Sequence, residues 1–110
     1  MHVMTAPAIV RIVGDQDLAT VRDLRVALQT AVGNPNLVID LRGVAYMDSL
    51  AMNELVRAQV ACERAGGRVA IVSRNQHLVR LLSLAGITTR VKIADSVNAA
   101  LAYVERDNGV

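Results

Sequence analysis

The sequence has few of the residues on which catalysis, metal binding and base stacking depend. Its 110 residues include no Trp, no Phe, two Tyr, two His and one Cys. The single cysteine, Cys62, rules out an internal disulfide and a Cys-x-x-Cys metal or redox pair, and we interpret it as a small core residue. Without Phe or Trp the core must be filled by Leu, Val, Ile and Met, and the chain lacks an aromatic platform for nucleic-acid bases.

Charge and hydropathy exclude two further kinds of partner. The net charge of +2 is spread over eleven Arg and one Lys without a clustered basic stripe, so we do not expect nucleic-acid binding. Hydrophobic residues make up 53% of the chain, yet charged residues interrupt each apolar stretch long before the roughly 18 residues of a membrane span. Residues 1–8 also lack the cationic head and apolar segment of a secretory signal. We therefore expect a soluble, cytoplasmic protein with no direct membrane insertion.

The polar residues favour a binding protein over an enzyme. The sequence has no Gly-x-Ser-x-Gly elbow, no Gly-rich phosphate loop before a predicted helix, and only His2 and His77 for acid–base chemistry. No group of His, Cys and carboxylate residues has the convergent spacing of metal ligands. We therefore expect no catalytic residue, no cofactor and no metal site.

Short apolar runs alternate with amphipathic segments along the chain, without a repeat, linker or low-complexity tract. We predict one domain over residues 1–110, with frayed ends at 1–7 and 106–110. The predicted strands are 9–13, 37–41, 68–72 and 91–93. The predicted helices begin at Thr20, at Asp48–Ser49, at Ser73 or Asn75, and at Asp95–Ser96. This alternation predicts an α/β fold, with a mixed, mostly parallel sheet of about four strands packed with about four helices.

Helical spacing also predicts which side chains face the core, because residues three or four positions apart share a helix face. The predicted inner faces of the four helices are Val21, Leu24, Leu28 and Val32, then Met52, Leu55, Val56 and Cys62, then Leu78, Leu81, Leu82 and Ala85, and finally Val97, Ala100, Leu101 and Val104. Asp40 is an acid inside the second predicted strand, and we interpret it as a structural carboxylate that requires hydrogen-bond partners.

Three segments stand in an order and spacing that carry more information than each has alone. The first is the turn 14–20, Gly-Asp-Gln-Asp-Leu-Ala-Thr, the second is the strand 37–44, Leu-Val-Ile-Asp-Leu-Arg-Gly-Val, and the third is 46–49, Tyr-Met-Asp-Ser. Together they resemble the STAS domain family, whose best-known members are bacterial anti-sigma factor antagonists. Asp17 matches the acid of the family's first turn, and Asp48-Ser49 matches its Asp-Ser at the start of a helix. The resemblance covers most of the chain and implies a STAS-like fold.

The resemblance also implies a function. In that family the serine after the Asp is phosphorylated by a kinase that is also the anti-sigma factor, and a phosphatase reverses the reaction. The implied function is therefore that of an anti-anti-sigma factor, which binds a serine-kinase anti-sigma factor, frees the sigma factor, is switched by phosphorylation of Ser49 and is reset by a PP2C-like phosphatase. The implied partner-binding residues are Asp17, Asp48, Ser49, Leu50, Ala51 and Met52.

Simple electrostatics supports such a switch independently. A phosphate adds about −1.5 to −2 charge beside the free N–H groups of a helix N-terminus, where the helix dipole favours anions, so the fold should tolerate it. A partner docked over Ser49 would instead meet new negative charge close to Asp48. Repulsion and desolvation can then release the partner.

Alternatives remain open at several of these positions. Asp48-Ser49 is also a common helix N-cap pair, and Asp17 can simply stabilise its turn. The family usually continues Ser-Gly-Leu, whereas this chain continues with Leu50, and a branched side chain there can alter the fit of a kinase. The runner-up function is therefore a STAS accessory or scaffold subunit of a transporter, lipid-trafficking or stress-signalling complex, without phosphoregulation.

A receiver domain is a weaker alternative, because it needs paired acids after its first strand and a supporting lysine. Lys92 is the only lysine, and Asp15 and Asp17 lie in a turn with different spacing. The apolar content is compatible with a weak homodimer.

Overall fold

Four strands and four helices alternate along the chain. The computed structural model describes residues 6–31 and 33–106. The strands are β1 (Ala8–Val13), β2 (Leu37–Gly43), β3 (Val69–Val72) and β4 (Lys92–Ala94). The helices are α1 (Val21–Ala31), α2 (Ser49–Arg64), α3 (Gln76–Leu84) and α4 (Val97–Val104), and a 3₁₀ turn (Ile87–Thr89) follows α3. The predicted α/β fold with four strands and four helices is confirmed, while the predictions for Val32 and for most of the two frayed ends lie outside the described residues.

The sheet has the strand order β1-β2-β3-β4, and all three pairings are parallel. The described strands therefore form a wholly parallel sheet, which agrees with the mostly parallel pairing predicted from the sequence and contains no antiparallel pair within the described residues. Each strand pairs with the strand that follows it in the chain, so the three connections cross the sheet in the same sense. Because such crossovers are right-handed, α1, α2 and α3 lie on one face of the sheet. The opposite face is covered by α4, which follows the last strand.

The core consists of two aliphatic clusters, one on each face of the sheet. Successive residues of a strand point to opposite faces, so Leu37, Ile39 and Leu41 of β2 pack in the cluster under α1–α3. Val38 belongs to the cluster under α4, together with Ala100 and Val104. Burial on both faces explains why β2 reads as a continuous apolar run instead of an alternating one.

Asp40 is a buried acid within β2. Its carboxylate accepts hydrogen bonds from Arg42 Nε at 2.9 Å, from Arg42 Nη2 at 2.8 Å and from the Arg42 backbone N–H at 3.1 Å. The side-chain hydrogen bond from Arg42 lowers the pKa of Asp40, against the opposing effect of desolvation. The interpretation of Asp40 as a structural, hydrogen-bonded carboxylate is confirmed.

The third helix differs from its prediction at its C-terminal end. The inner face was predicted to include Ala85, but the helix ends at Leu84 and Ala85 is exposed. Ala85 is the C-cap of the helix, and the next residue, Gly86, adopts a left-handed φ of 80° that ends the helix there. Of the two candidate caps, Asn75 is the one used, because its side chain accepts a hydrogen bond from the backbone N–H of Leu78.

Candidate functional site

Two turns that are far apart in sequence lie side by side at the carboxyl ends of β1 and β2. The backbone N–H of Gln16 donates to the carbonyl of Tyr46 at 3.0 Å, and the N–H of Asp48 donates back to the carbonyl of Gln16 at 2.9 Å. Gln16 and Met47 consequently form a parallel bridge outside the main strands. The first and third motif segments are therefore neighbours, and Asp17 lies next to the segment that carries Asp48.

The first turn is stabilised by its own side chains. Gly14 has a φ of 89°, a conformation that favours glycine. The buried Gln16 donates its side-chain N–H to the Gly14 carbonyl at 3.1 Å. One carboxylate oxygen of Asp17 accepts from the N–H of Ala19 at 2.9 Å, and the Thr20 hydroxyl accepts from the N–H of Asp17 at 3.0 Å. Asp17 thus has a structural role in the turn, while it remains partly exposed.

The two residues at the start of α2 have different roles. Asp48 is the N-cap: its backbone is extended, and its side chain accepts a hydrogen bond from the N–H of Ala51 at 2.9 Å. Ser49 is the first helical residue and is exposed. Within residues 6–31 and 33–106 its hydroxyl makes no hydrogen bond. The capping that the sequence allowed for either residue belongs to Asp48, which leaves the Ser49 hydroxyl available to a partner or an enzyme.

This division of roles predicts different stabilities for two variants. We expect Asp48→Ala to lower the free energy of unfolding by about 1 kcal/mol, because the N–H of Ala51 loses its acceptor. Ser49→Ala should change it by less than about 0.5 kcal/mol, since no hydrogen bond is lost. Urea denaturation followed by circular dichroism measures both values. Asp48→Asn, which retains a capping oxygen, is the matched control, and equal losses for the Asp48→Ala and Ser49→Ala variants would contradict the assignment.

The three residues after Ser49 are exposed to different degrees. Leu50 has 48% of its surface exposed, and Met52 is half-buried against the cluster under α1–α3. Ala51 is fully buried, with 0% exposed. The prediction that Ala51 contacts a partner stays a prediction. Its side chain packs beneath the surface of the free chain, so among residues 50–52 only Leu50 and Met52 present side-chain atoms to solvent.

Two exposed apolar residues of the site were not among the sequence predictions. Leu18 follows Asp17 and is 72% exposed, and Tyr46 precedes Asp48 by two positions and is 46% exposed. Both lie in the two joined turns, where a large apolar residue has no strand or helix face to bury it. The presence of a large apolar residue in each of these turns could have been recognised from the sequence. We call the group Asp17, Leu18, Tyr46, Asp48, Ser49, Leu50 and Met52 the Ser49 surface.

A shallow groove continues the Ser49 surface towards the end of α3. Its volume is about 160 Å³, and its lining residues are Ser49, Met52, Asn53, Val56 and Ala85. Small-molecule and cofactor sites are usually larger, roughly 300 to 1,000 Å³. The groove has the size for one or two side chains of a protein partner. Ala85, which the sequence predicted on the inner face of α3, is exposed and forms one wall of this groove.

The charged groups of the Ser49 surface are acidic. Asp17 and Asp48 both lie on it, and the positive end of the α2 dipole opposes their negative charge. The three ion pairs of the described residues are Arg25 with Glu54, Arg42 with Asp40, and Arg90 with Glu63. None of them includes a residue of this surface. A phosphate on Ser49 would therefore join two carboxylates without a paired arginine at the surface.

Residues 6–31 and 33–106 contain neither a cluster of metal ligands nor a membrane-spanning helix. No group of three or more His, Cys, Asp or Glu side chains lies close enough together to hold a metal ion. No helix in this part of the chain has both the length and the hydropathy of a bilayer span.

Comparison with known proteins agrees with the geometry of the fold and the motifs. The profile of the family described as "Mlab, STAS domain" matches residues 4–95. The chain therefore belongs to the STAS domain family, and the predicted family is confirmed. A protein of Thermotoga maritima that is described as a candidate anti-sigma factor antagonist is 31% identical over 74 residues, which cover 67% of this chain and 66% of that protein. The chain spans just under two thirds of the length of the curated relatives that it matches.

Solved structures share the fold over nearly the whole chain. The crystal structure of an anti-sigma factor antagonist from Mycobacterium paratuberculosis superposes with a TM-score of 0.83 at 23% identity, covering 96% of this chain and 91% of that one. The Bacillus cell fate determinant SpoIIAA in its phosphorylated form gives a TM-score of 0.69 at 17% identity, covering 96% of both chains. At these identities the likeness establishes the fold alone.

Proposed function

We propose that this protein is an anti-sigma factor antagonist that binds an anti-sigma factor of the serine-kinase type through the Ser49 surface and so frees a sigma factor. The observation that carries the proposal is the exposed Ser49 hydroxyl, free of hydrogen bonds within the described residues, at the start of a helix that Asp48 caps. Leu18, Tyr46 and Leu50 add exposed apolar area around it, as interaction surfaces do. The family membership and the relatives' descriptions support the same assignment.

Phosphorylation of Ser49 is the proposed switch. The phosphate oxygens would meet the free N–H groups and the positive dipole end of α2, so the fold accommodates the modification. A docked partner would lose favourable contacts with the apolar residues and face the added charge beside Asp48. A PP2C-like phosphatase would restore binding. The mechanism is control of binding by charge in the cytoplasm, and it requires no catalytic group, cofactor or metal in this chain.

Intact mass spectrometry tests the switch directly. Incubation of the purified protein with ATP and each serine-kinase anti-sigma factor from the same genome should add the mass of one phosphoryl group. The Ser49→Ala variant should gain none with the same kinase. Labelling that persists in Ser49→Ala would place the acceptor elsewhere and contradict the proposal.

Leu50 makes a matched control necessary, because the family usually has glycine at this position and Leu50 is 48% exposed beside the acceptor. If the wild type gains no phosphate but Leu50→Gly does, the side chain of Leu50 blocks the kinase and phosphoregulation has been lost. Stable binding without phosphorylation in both proteins would indicate an antagonist without a switch. Neither binding nor phosphorylation would favour the alternative, an accessory STAS subunit of a larger complex.

A further inference from the structure

A second groove lies between α1 and α2, one to three turns beyond the Ser49 end of α2. Its volume is about 360 Å³, which is within the usual range of small-molecule sites. Three apolar residues line it: Leu28, Ala58 and Ala61. Four polar residues complete the lining: Arg25, Gln29, Glu54 and Arg57.

The groove exists because α2 has small side chains where it faces α1. Ala58 and Ala61 are three residues apart, so they lie on the same face of the helix about one turn apart. Neither has atoms beyond Cβ, and the space between the helices stays open above Leu28, which is buried. The result is a concave apolar wall that is open to solvent.

The charges around the groove do not cancel. Glu54 is 5% exposed, and its carboxylate accepts a hydrogen bond from Arg25 Nε at 2.9 Å, so these two opposite charges compensate each other. Arg57 follows Glu54 by three positions on the same helix and is exposed. It belongs to none of the ion pairs of the described residues. One guanidinium therefore remains uncompensated beside an apolar wall.

We propose that this groove binds a small organic monoanion, a carboxylate with a short apolar tail. Arg57 would bind the carboxylate, since a guanidinium presents two parallel N–H donors that match its two oxygens. Arg25 uses only Nε in its pair with Glu54, and its other nitrogens make no hydrogen bond within the described residues, so they can add a further contact. The tail lies on Leu28, Ala58 and Ala61. A single uncompensated guanidinium suits a monoanion better than a doubly charged phosphate, because the second charge of a phosphate would have no uncompensated cation among the residues that line the groove.

Hexanoate is a suitable probe, with hexanamide as the neutral control of the same shape. Titration of the ¹⁵N-labelled protein with hexanoate should shift the amide resonances of residues 25–29 and 54–61 and leave those of residues 46–50 unchanged. Arg57→Ala should weaken hexanoate binding by about tenfold or more, as expected for a lost charge-assisted hydrogen bond. Arg64→Ala, which removes an exposed arginine from the same helix outside the groove, should leave the affinity unchanged.

Ala61→Leu gives a second, independent check. A leucine fills the groove from a partly buried position of the helix and should abolish hexanoate binding, while the melting temperature shows whether the variant remains folded. Three results would overturn the proposal: equal binding of hexanamide and hexanoate, an unchanged affinity in Arg57→Ala, or the largest shifts near Ser49. None of them bears on the proposed function, which is tested through phosphorylation of Ser49.

Discussion

Under the proposed function, the protein phosphorylated on Ser49 is expected to bind the anti-sigma factor at least about 100-fold more weakly than the unmodified protein, a difference of about 2.7 kcal/mol. Two effects add to this loss. The phosphate brings about −1.5 to −2 charge to a surface that already has Asp17 and Asp48, and it must be desolvated against the partner. The partner also loses close contact with Leu50, which is the next residue and 48% exposed.

Isothermal titration with the serine-kinase anti-sigma factor that phosphorylates Ser49 in the mass-spectrometry test measures this loss, and the salt dependence identifies its cause. The difference between the two forms should shrink at high salt, because exposed charges are screened within about 10 Å at 0.1 M and less at higher ionic strength. Asp48→Asn keeps the helix cap while it removes one charge, so its phosphorylated form should recover part of the affinity. Affinities of the two forms within threefold of one another would contradict the charge mechanism.

Gly67→Ala is expected to lower the free energy of unfolding by at least about 3 kcal/mol, the largest effect on stability that we predict. A Cβ at Gly67 would overlap the carbonyl group of Pro35 and lie 2.7 Å from the Pro35 Cβ. Because the overlapping atoms belong to backbone, no side-chain rotation relieves the clash. The next residue is Arg68, whose N–H donates to the Asn36 side chain at 3.0 Å and whose carbonyl accepts from the N–H of Leu37 at 3.0 Å.

The clash would therefore separate the amino ends of β2 and β3. Urea denaturation measures the loss as a lower midpoint with an unchanged slope. Gly33→Ala is the matched control, since a Cβ there meets none of the described atoms within 4 Å, and it should change stability by no more than about 1 kcal/mol. If the Gly67→Ala and Gly33→Ala variants have equal midpoints, the close packing of Gly67 on Pro35 does not limit stability.

Most of the fold could be predicted from the sequence because local signals agreed with each other. The continuous apolar run 37–41 indicated a strand buried on both faces, and each helix had a recognisable cap. The wholly parallel pairing and the position of α4 on the opposite face could not be predicted from periodicity, because they depend on the order of strands. Ala85 was predicted on the inner face of α3 because residue spacing alone does not show where a helix ends. The helix ends at Leu84, before the left-handed Gly86.

The sequence predicted the motifs of the site, but it did not predict which of their side chains are exposed. The hydrogen bonds between Gln16 and the segment Tyr46–Asp48 explain why the family's first and third motifs occur together. Sequence could not decide which of Asp48 and Ser49 caps α2, because both residue types are good caps. The burial of Ala51 and the groove between α1 and α2 depend on how the helices pack, which no local pattern specifies.

The separation of the helix cap from the proposed phosphorylation site at the start of α2 has an evolutionary consequence. Because the side-chain cap of the helix is Asp48 and the Ser49 hydroxyl makes no hydrogen bond within the described residues, selection for a stable fold constrains that hydroxyl little. A replacement of Ser49 by Ala, which takes one nucleotide from any TCN serine codon, would under the proposed function give a paralogue that keeps its partner and escapes the kinase, and the reverse change would restore control. Duplicated genes for such proteins can therefore gain or lose regulation in one step, without passing through an unstable intermediate.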